Sequence, residues 1–279
     1  MQQRIRSTSP VEMDGHTMVE IRILGPLEIE GDTGMPRLDS YRQRAVLGLL
    51  ALEANRVTSI ESLTDAVWDG EPPATARSQI QICISVLRRV LADSGCPAAI
   101  ETRAPGYRLV FDRSNLDSAQ FDDLLAQARV EEQDGNLTGA LVALRMALRL
   151  WRGPVLADVP SGRIQRIAYP LTERRVAAEL SRFRIELALG RAWEIVPDLQ
   201  AHVDAHPLWE ETYGYLMLAL YRCGRTAEAL EVYQRARATL IQQVGLEPSD
   251  ELRKLERAIL AGGESLPRPA LFEPARRAG

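Results

Sequence analysis

Nine residues within a fifteen-residue window carry the chemistry that stands out in this chain: Thr75, Arg77, Ser78, Gln81, Ile82, Ser85, Val86, Arg88 and Arg89. At 3.6 residues per turn, Ser78, Ile82, Ser85 and Arg89 fall on one stripe. Thr75, Arg77, Gln81, Val86 and Arg88 flank it. Hydroxyls, an amide and guanidinium groups suit the edges of base pairs in a major groove. Arginine pairs bidentately with guanine, and Ile82 or Val86 meets a thymine methyl. A second set lies in the string TRAPGYRL, where Arg103 sits at the tip of an expected hairpin and Arg108 follows in its second strand. A guanidinium at such a tip reaches a phosphate or the minor groove. The plain alternative is a solvated helix face. Two exposed β-branched apolar residues gain nothing from water, so they are either contact residues or covered by protein.

Charge is distributed to match. The chain has a net charge of −4, which is not that of a generally basic nucleic-acid binder. Residues 18–73 hold five arginines against ten acids, whereas residues 74–108 hold five arginines against Asp93 and Glu101. Phosphate contact requires a local basic face, not a basic chain. Lys254 is the only lysine. That excludes a lysine-bearing phosphate loop and a lysine nucleophile elsewhere.

These side chains need elements to hold them. Ile21 and Ile23 alternate with polar neighbours, so 19–24 reads as a strand. Gly25-Pro26 turns the chain into a second strand at Leu27 and Ile29. A third strand is expected near 35–38. A helix begins after Ser40, which with Gln43 fits a capping box, and closes at Asn55. Thr58 and Glu61 form a second capping box that opens a short helix holding Ile60, Leu63 and Val67. A longer helix spans about 74–93 and stops at Gly95. It buries Ala76, Ile80, Cys83, Ile84, Leu87 and Leu91. Strands at about 99–103 and 107–111 flank Pro105-Gly106, whose glycine permits a tight turn. Strands, three helices and a hairpin, in that order, are the layout of a winged helix-turn-helix, with a generic α+β domain as the alternative.

From residue 117 the strand signals end and helical patterns continue to about 261. Phe121, Leu124, Leu125 and Ala128 mark one helix, and Leu141, Leu144, Leu148 and Leu150 the next. Glycines at 135, 190 and 224 punctuate the region. The last two stand 34 residues apart, the tetratricopeptide period, and the wider first interval implies an insert around WRGPVLADVPSG. Trp151, Trp193 and Trp209 are expected to pack between repeats. The fold class is therefore mainly α with a small α+β N-terminal domain. The expected divisions are a disordered leader at 1–17, a winged helix at 18–112, a helical repeat domain at 117–261 and a disordered tail at 262–279.

Other chemistries find little support. His202 and His206 have i,i+4 spacing but no third ligand type nearby, so no metal and no cofactor is expected. No nucleophile motif is recognisable, and no enzyme activity is expected. Carboxylates such as Asp122-Asp123 and Glu131-Glu132 read as solvated helix faces. No run of about 18 apolar residues or signal-peptide core occurs. Three cysteines suit a reducing, cytoplasmic setting.

The strings LGPLEIEGD, RQRAVLGLLALEAN, VTSIESLTDAVWDGEPPATAR, ISVLRRVL and IETRAPGYRL together resemble the OmpR-type winged helix of the Streptomyces antibiotic regulatory protein family. ALRLWRGPVLADVP, HPLWEETYGYLMLALYRCGRTAEALEVYQRAR and VGLEPSDELRKLERAIL resemble its bacterial transcriptional activation domain. Together they look like the small form of that family. The chain departs from related OmpR-type readers in carrying Ser78 and Val86 where more basic residues are usual. The resemblance implies a pathway-specific activator of a secondary-metabolite cluster. It implies promoter direct repeats bound by two self-associating subunits, and recruitment of RNA polymerase with its sigma factor. A repressor or ligand-responsive switch with the same reader, or a repeat scaffold docking on protein, are the competing readings.

Overall fold

A computed structural model describes residues 21–30 and 38–262. The expected leader, nearly all of the third strand near 35–38, and the tail beyond Gly262 lie outside the described residues. The chain divides into two compact units. The first holds the residues up to Gln120 together with Arg152–Ala168, and the second holds Phe121–Trp151 and the residues from Tyr169 onward.

The first unit begins with β1 (Ile21–Arg22) and β2 (Glu28–Ile29), an antiparallel pair. Next come α1 (Tyr41–Leu52), β3 (Thr58–Ser59), α2 (Ile60–Trp68) and α3 (Ala76–Asp93). A hairpin of β4 (Ala99–Arg103) and β5 (Gly106–Val110) closes the order. The three helices pack together because each presents an apolar face. Ala45, Val46, Leu49 and Leu50 of α1 meet Leu63 and Ala66 of α2 and Ile80, Ile84 and Leu87 of α3, all within 1% of full burial. Transfer of the valine, leucine and isoleucine side chains among them from water contributes roughly 1.5–3 kcal/mol each.

Two readings of local structure are corrected. Thr58 does not cap α2. It lies in β3, paired with Tyr107, and its hydroxyl donates to Glu53 Oε2 at 2.7 Å. Ser59 is the cap, accepting from Ser62 N at 3.0 Å. Ser40 does stand before α1, but its side chain makes no capping bond. The helix ends at Leu52, and Asn55 adopts a left-handed φ of 65° just beyond it.

Residues 152–158 strap the β1–β2 turn. Arg152 N donates to Leu24 O at 2.7 Å, Leu156 N to Ile23 O at 3.1 Å and Ala157 N to Gly25 O at 3.2 Å. Leu27 N donates to Asp158 Oδ1 at 2.8 Å, and Arg152 pairs with Glu28 at 2.7 Å. Leu156 is fully buried because Gly48 of α1 leaves room for it: a Cβ there would lie 2.9 Å from Leu156 Cδ1. Asp117 is 2% exposed, and its carboxylate accepts from Ile23 N and Leu24 N at 2.9 Å. Burial lifts this carboxyl above its ordinary value, against the pull of those N–H groups and of Arg152.

Among the described residues, the regular elements of the second unit are all helices. Its elements are α4 (Asp117–Gln133), α5 (Leu137–Arg149), α6 (Gly162–Ala188), α7 (Ala192–Ala205), α8 (Glu210–Arg222), α9 (Thr226–Val244) and α10 (Asp250–Leu260), although the first residues of α4 and α6 group with the first unit. The glycines at 135, 190 and 224 have φ of 78°, 76° and 77°. Each ends one helix in the left-handed conformation and is followed, one residue later, by the next. Three helical hairpins result, joined by the same turn, with Trp151–Ser161 inserted after the first. The core runs from Phe183 and Leu187 through Leu199 and Val203 to Tyr213, Leu216, Leu220 and Leu252. Trp193 departs from its expected packing role: it is 73% exposed, while its neighbours Ala192 and Ile195 face the core. Asp122 and Glu132 are half-buried and ion-paired, to Arg174 and Arg184, where solvated faces were expected.

Candidate nucleic-acid interface

Helix α3 buries the six residues assigned to its core side, Ala76, Ile80, Cys83, Ile84, Leu87 and Leu91. That commitment fixes what the opposite side shows. Thr75, Arg77, Ser78, Gln81, Ile82, Ser85, Arg88 and Arg89 are exposed, and Val86 is half-buried. Ile82 is 62% exposed, so no protein among the described residues covers it. Arg77 and Arg89 make no ion pair or hydrogen bond among the described residues. Two uncommitted guanidinium groups therefore stand on a surface of hydroxyls, an amide and one branched apolar side chain.

The wing is built on the strand order β3-β5-β4. Tyr107 and Leu109 of β5 point inward, at 6% and 0% exposure. Asn55 secures the far end: its backbone N–H donates to Leu109 O at 2.8 Å and its Nδ2 to Phe111 O at 3.1 Å. Gly106 has a role other than the turn expected of it. Its φ is not positive, but a Cβ there would lie 1.9 Å from Thr58 O. The residue is glycine because β3 crosses that close. The two-residue strand β3 escapes sequence reading since two residues show no alternation.

Arg88 does not hang free in solvent with its neighbours. Its Nε donates to Ile100 O at 2.8 Å, and its terminal NH2 group to Thr102 Oγ1 at 2.9 Å. Ile100 and Thr102 belong to β4, so one guanidinium joins α3 to the wing. Glu101, between them, takes Arg108 at 2.7 Å and Arg103 at 3.1 Å. These two arginines hold the Glu101 carboxyl below its ordinary value, Arg108 the more strongly. Arg103 keeps 58% of its side chain exposed beside the hairpin turn, while Arg108 is less open. Thr75 sits at the start of α3, where its hydroxyl accepts from Gln79 Nε2 at 2.8 Å.

The arrangement has a clear electrostatic consequence. On α3, Arg77 and Arg89 are unpaired among the described residues; at the wing Arg103, though paired with Glu101, is the more open of that carboxylate's two arginines. Arg88 and Arg108 are committed to holding the wing. Asp69 ends α2 in the left-handed region (φ 48°) and accepts from Gly162 N and Arg163 N, each at 3.0 Å. It thus caps the first turn of α6 from outside that helix. Those backbone N–H groups hold its carboxyl below the ordinary range. Its partner lies over ninety residues away, so no local capping pattern announces it.

Two family models match the chain. The bacterial transcriptional activator domain matches residues 116–260, and the transcriptional regulatory protein C-terminal domain matches residues 39–109. The regulatory protein DnrI of Streptomyces peucetius is 34% identical over 265 residues, covering 92% of this chain and 97% of its own length. The regulatory protein AfsR of Streptomyces coelicolor is 35% identical over 92% of this chain, a match that takes up 26% of AfsR. Among solved structures, Mycobacterium tuberculosis EmbR in complex with a low-affinity phosphopeptide superposes with a TM-score of 0.81 at 31% identity. That match covers 89% of this chain and 65% of the EmbR chain. The fold is accordingly a winged helix followed by a helical activator domain.

Proposed function

This chain belongs to the Streptomyces antibiotic regulatory protein family, and from that premise we propose that it is a sequence-specific activator of transcription. Residues 18–112 form its DNA reader and 117–261 its activation domain. The carrying observation is the outward stripe of α3. Ser78, Gln81, Ile82, Ser85 and Arg89 face out together, with Arg77 and Arg89 uncommitted. In this reading α3 enters the major groove, where Arg77 and Arg89 meet guanine edges or phosphates, Thr75 contacts the backbone, and Ile82 and Val86 meet thymine methyls. Arg103 reaches a phosphate or the minor groove. Arg88 and Arg108 act mainly by fixing the wing, a change from the direct contact expected of them. The site takes no cofactor and does no bond chemistry.

Direct repeats in a promoter, one helical turn apart, would seat two chains in tandem. The activation domain would then recruit RNA polymerase with its sigma factor, and the controlled genes would make a secondary metabolite. The test is a footprint on promoters neighbouring the chain's own gene, paired with a reporter. The expected result is protection of repeated half-sites, binding that weakens steeply with salt, and expression that rises with the protein. Salt-indifferent, sequence-indifferent binding would sink the DNA reading, and falling expression would sink the activator reading.

A further inference from the structure

A cavity of about 430 Å³ opens in the helical unit, lined by α5, α6 and α7. Its volume falls in the range of small-molecule sites, about 300–1,000 Å³. The DNA reading makes no use of it. Helix α5 contributes Arg145 and Arg149, α6 contributes Arg182 and Glu186, and α7 contributes Glu194 and Asp198.

The pairing of these groups is incomplete in an informative way. Glu186 is 0% exposed. Its Oε1 accepts from Arg145 Nε at 3.0 Å and from the Arg145 NH2 group at 2.6 Å. Its Oε2 is buried and accepts no hydrogen bond. Arg145 also approaches Glu194 at 3.5 Å, and Arg182 is taken by Asp198 at 2.7 Å. Arg149 is exposed and makes no ion pair among the described residues. A buried carboxylate oxygen left without a donor costs more than a hydrogen bond gains, so a site that keeps one there favours a donor from elsewhere. The local groups thus leave an unmet acceptor on the buried Glu186 carboxylate, a buried Arg182 Nε without an acceptor, and an unpaired Arg149 cation at the rim.

We propose that this cavity binds a small zwitterionic molecule. Its ammonium or guanidinium group donates to Glu186 Oε2 once the side chains covering that oxygen move aside, and its carboxylate pairs with Arg149. Arg145 holds the other Glu186 oxygen and so keeps the acceptor in place. The proposal is independent of the DNA reading, since every group it uses lies in the helical unit.

The experiment is calorimetric titration of the full chain with L-arginine, L-lysine and agmatine, which keeps the guanidinium but lacks the carboxylate. L-arginine or L-lysine is expected to bind saturably. Agmatine should bind about fivefold more weakly than L-arginine, the loss of a single solvent-exposed ion pair at the upper end of its range. Arg149→Ala should bring L-arginine down to the agmatine level and leave agmatine binding as it was. Glu186→Gln should abolish binding of all three. Should that variant unfold because Arg145 loses its partner, the Arg149→Ala comparison decides alone. Saturable binding of none of the three probes overturns the proposal. So does equal loss of L-arginine and agmatine in Arg149→Ala, or full binding in a folded Glu186→Gln chain.

Discussion

Replacing Arg88 with alanine cuts both bonds that tie α3 to the wing, at 2.8 Å to Ile100 O and 2.9 Å to Thr102 Oγ1. Charge-assisted hydrogen bonds contribute about 1.5–3 kcal/mol where they are sheltered. Arg88 and Thr102 are exposed, so water competes for both groups. A total of roughly 0.5–1 kcal/mol is the sounder expectation. If the guanidinium serves DNA binding through the wing, its effect must depend on what the wing carries. The more open of the two arginines at the wing is Arg103. Arg103→Ala in the parent should weaken binding to all sequences alike and lower the salt slope by about 0.9. In an Arg88→Ala background the wing loses its tie to α3, so Arg103→Ala should cost less. The assay is a double-mutant cycle read by DNA affinity at several salt concentrations. The expected coupling is about 0.5–1 kcal/mol, at the lower end of what contacting residues show. Additivity to within about 0.3–0.5 kcal/mol, with Arg88→Ala itself removing one phosphate contact's worth of salt slope, would refute the argument. It would return Arg88 to direct DNA contact.

Arg89→Ala, on the uncommitted stripe, should cost about 1–3 kcal/mol of affinity and relax specificity at one base pair; competition with single-base operator variants checks this, and uniform weakening across them would make Arg89 a phosphate contact instead. Gly106→Ala places a Cβ 1.9 Å from Thr58 O, so β3 must shift. A loss of about 1–3 kcal/mol in urea unfolding is expected, against less than about 0.5 kcal/mol for Gly153→Ala, whose added carbon meets nothing within 4 Å. Asp69 has a folded-state pKa held down by the N–H groups of Arg163 and Gly162. Its contribution is therefore present above the unfolded value of about 3.9 and fades as pH falls through the lower folded value. Asp69→Asn should flatten that acid limb, and its exposure keeps the effect near the low end of a helix cap, about 0.5 kcal/mol; an unchanged acid profile would show the cap to be worth nothing in solution.

Much of the first unit is legible in the sequence. The six buried residues of α3 follow from a 3.6-residue period, because a helix in contact with a core must present one continuous stripe. Once that stripe is buried, exposure of Arg77, Ser78, Gln81, Ile82, Ser85 and Arg89 is forced. The same logic yields the hairpin, since Tyr107 and Leu109 alternate as a half-buried strand must. The recurring glycine turn in the helical unit is a local signal too, for each glycine ends a helix in a conformation that side chains resist.

Contacts between residues far apart in the chain were not legible, and they settle what the exposed arginines do. Arg88 and Arg89 are adjacent in sequence and both face outward. Only the approach of β4 to α3 commits one of them to Ile100 and Thr102 and leaves the other free. Thr58 looked like a cap because its neighbours fit a local pattern, but pairing with Tyr107, dozens of residues on, overrode it. Trp193 was assigned to packing by its residue type, yet its place at the start of α7 turns it outward. Asp69 and Asp117 act on backbone N–H groups more than ninety residues distant. Residues 152–158, expected only as an insert, strap the β1–β2 turn of the first unit. Periodicity settles which side of an element faces the core. It is silent on which element arrives there, because that depends on chain closure over long separations and on the fit of surfaces that meet only when the chain has folded. The sequence alone thus determined the outward face of α3, and the tertiary structure decided which arginines on it remain uncommitted.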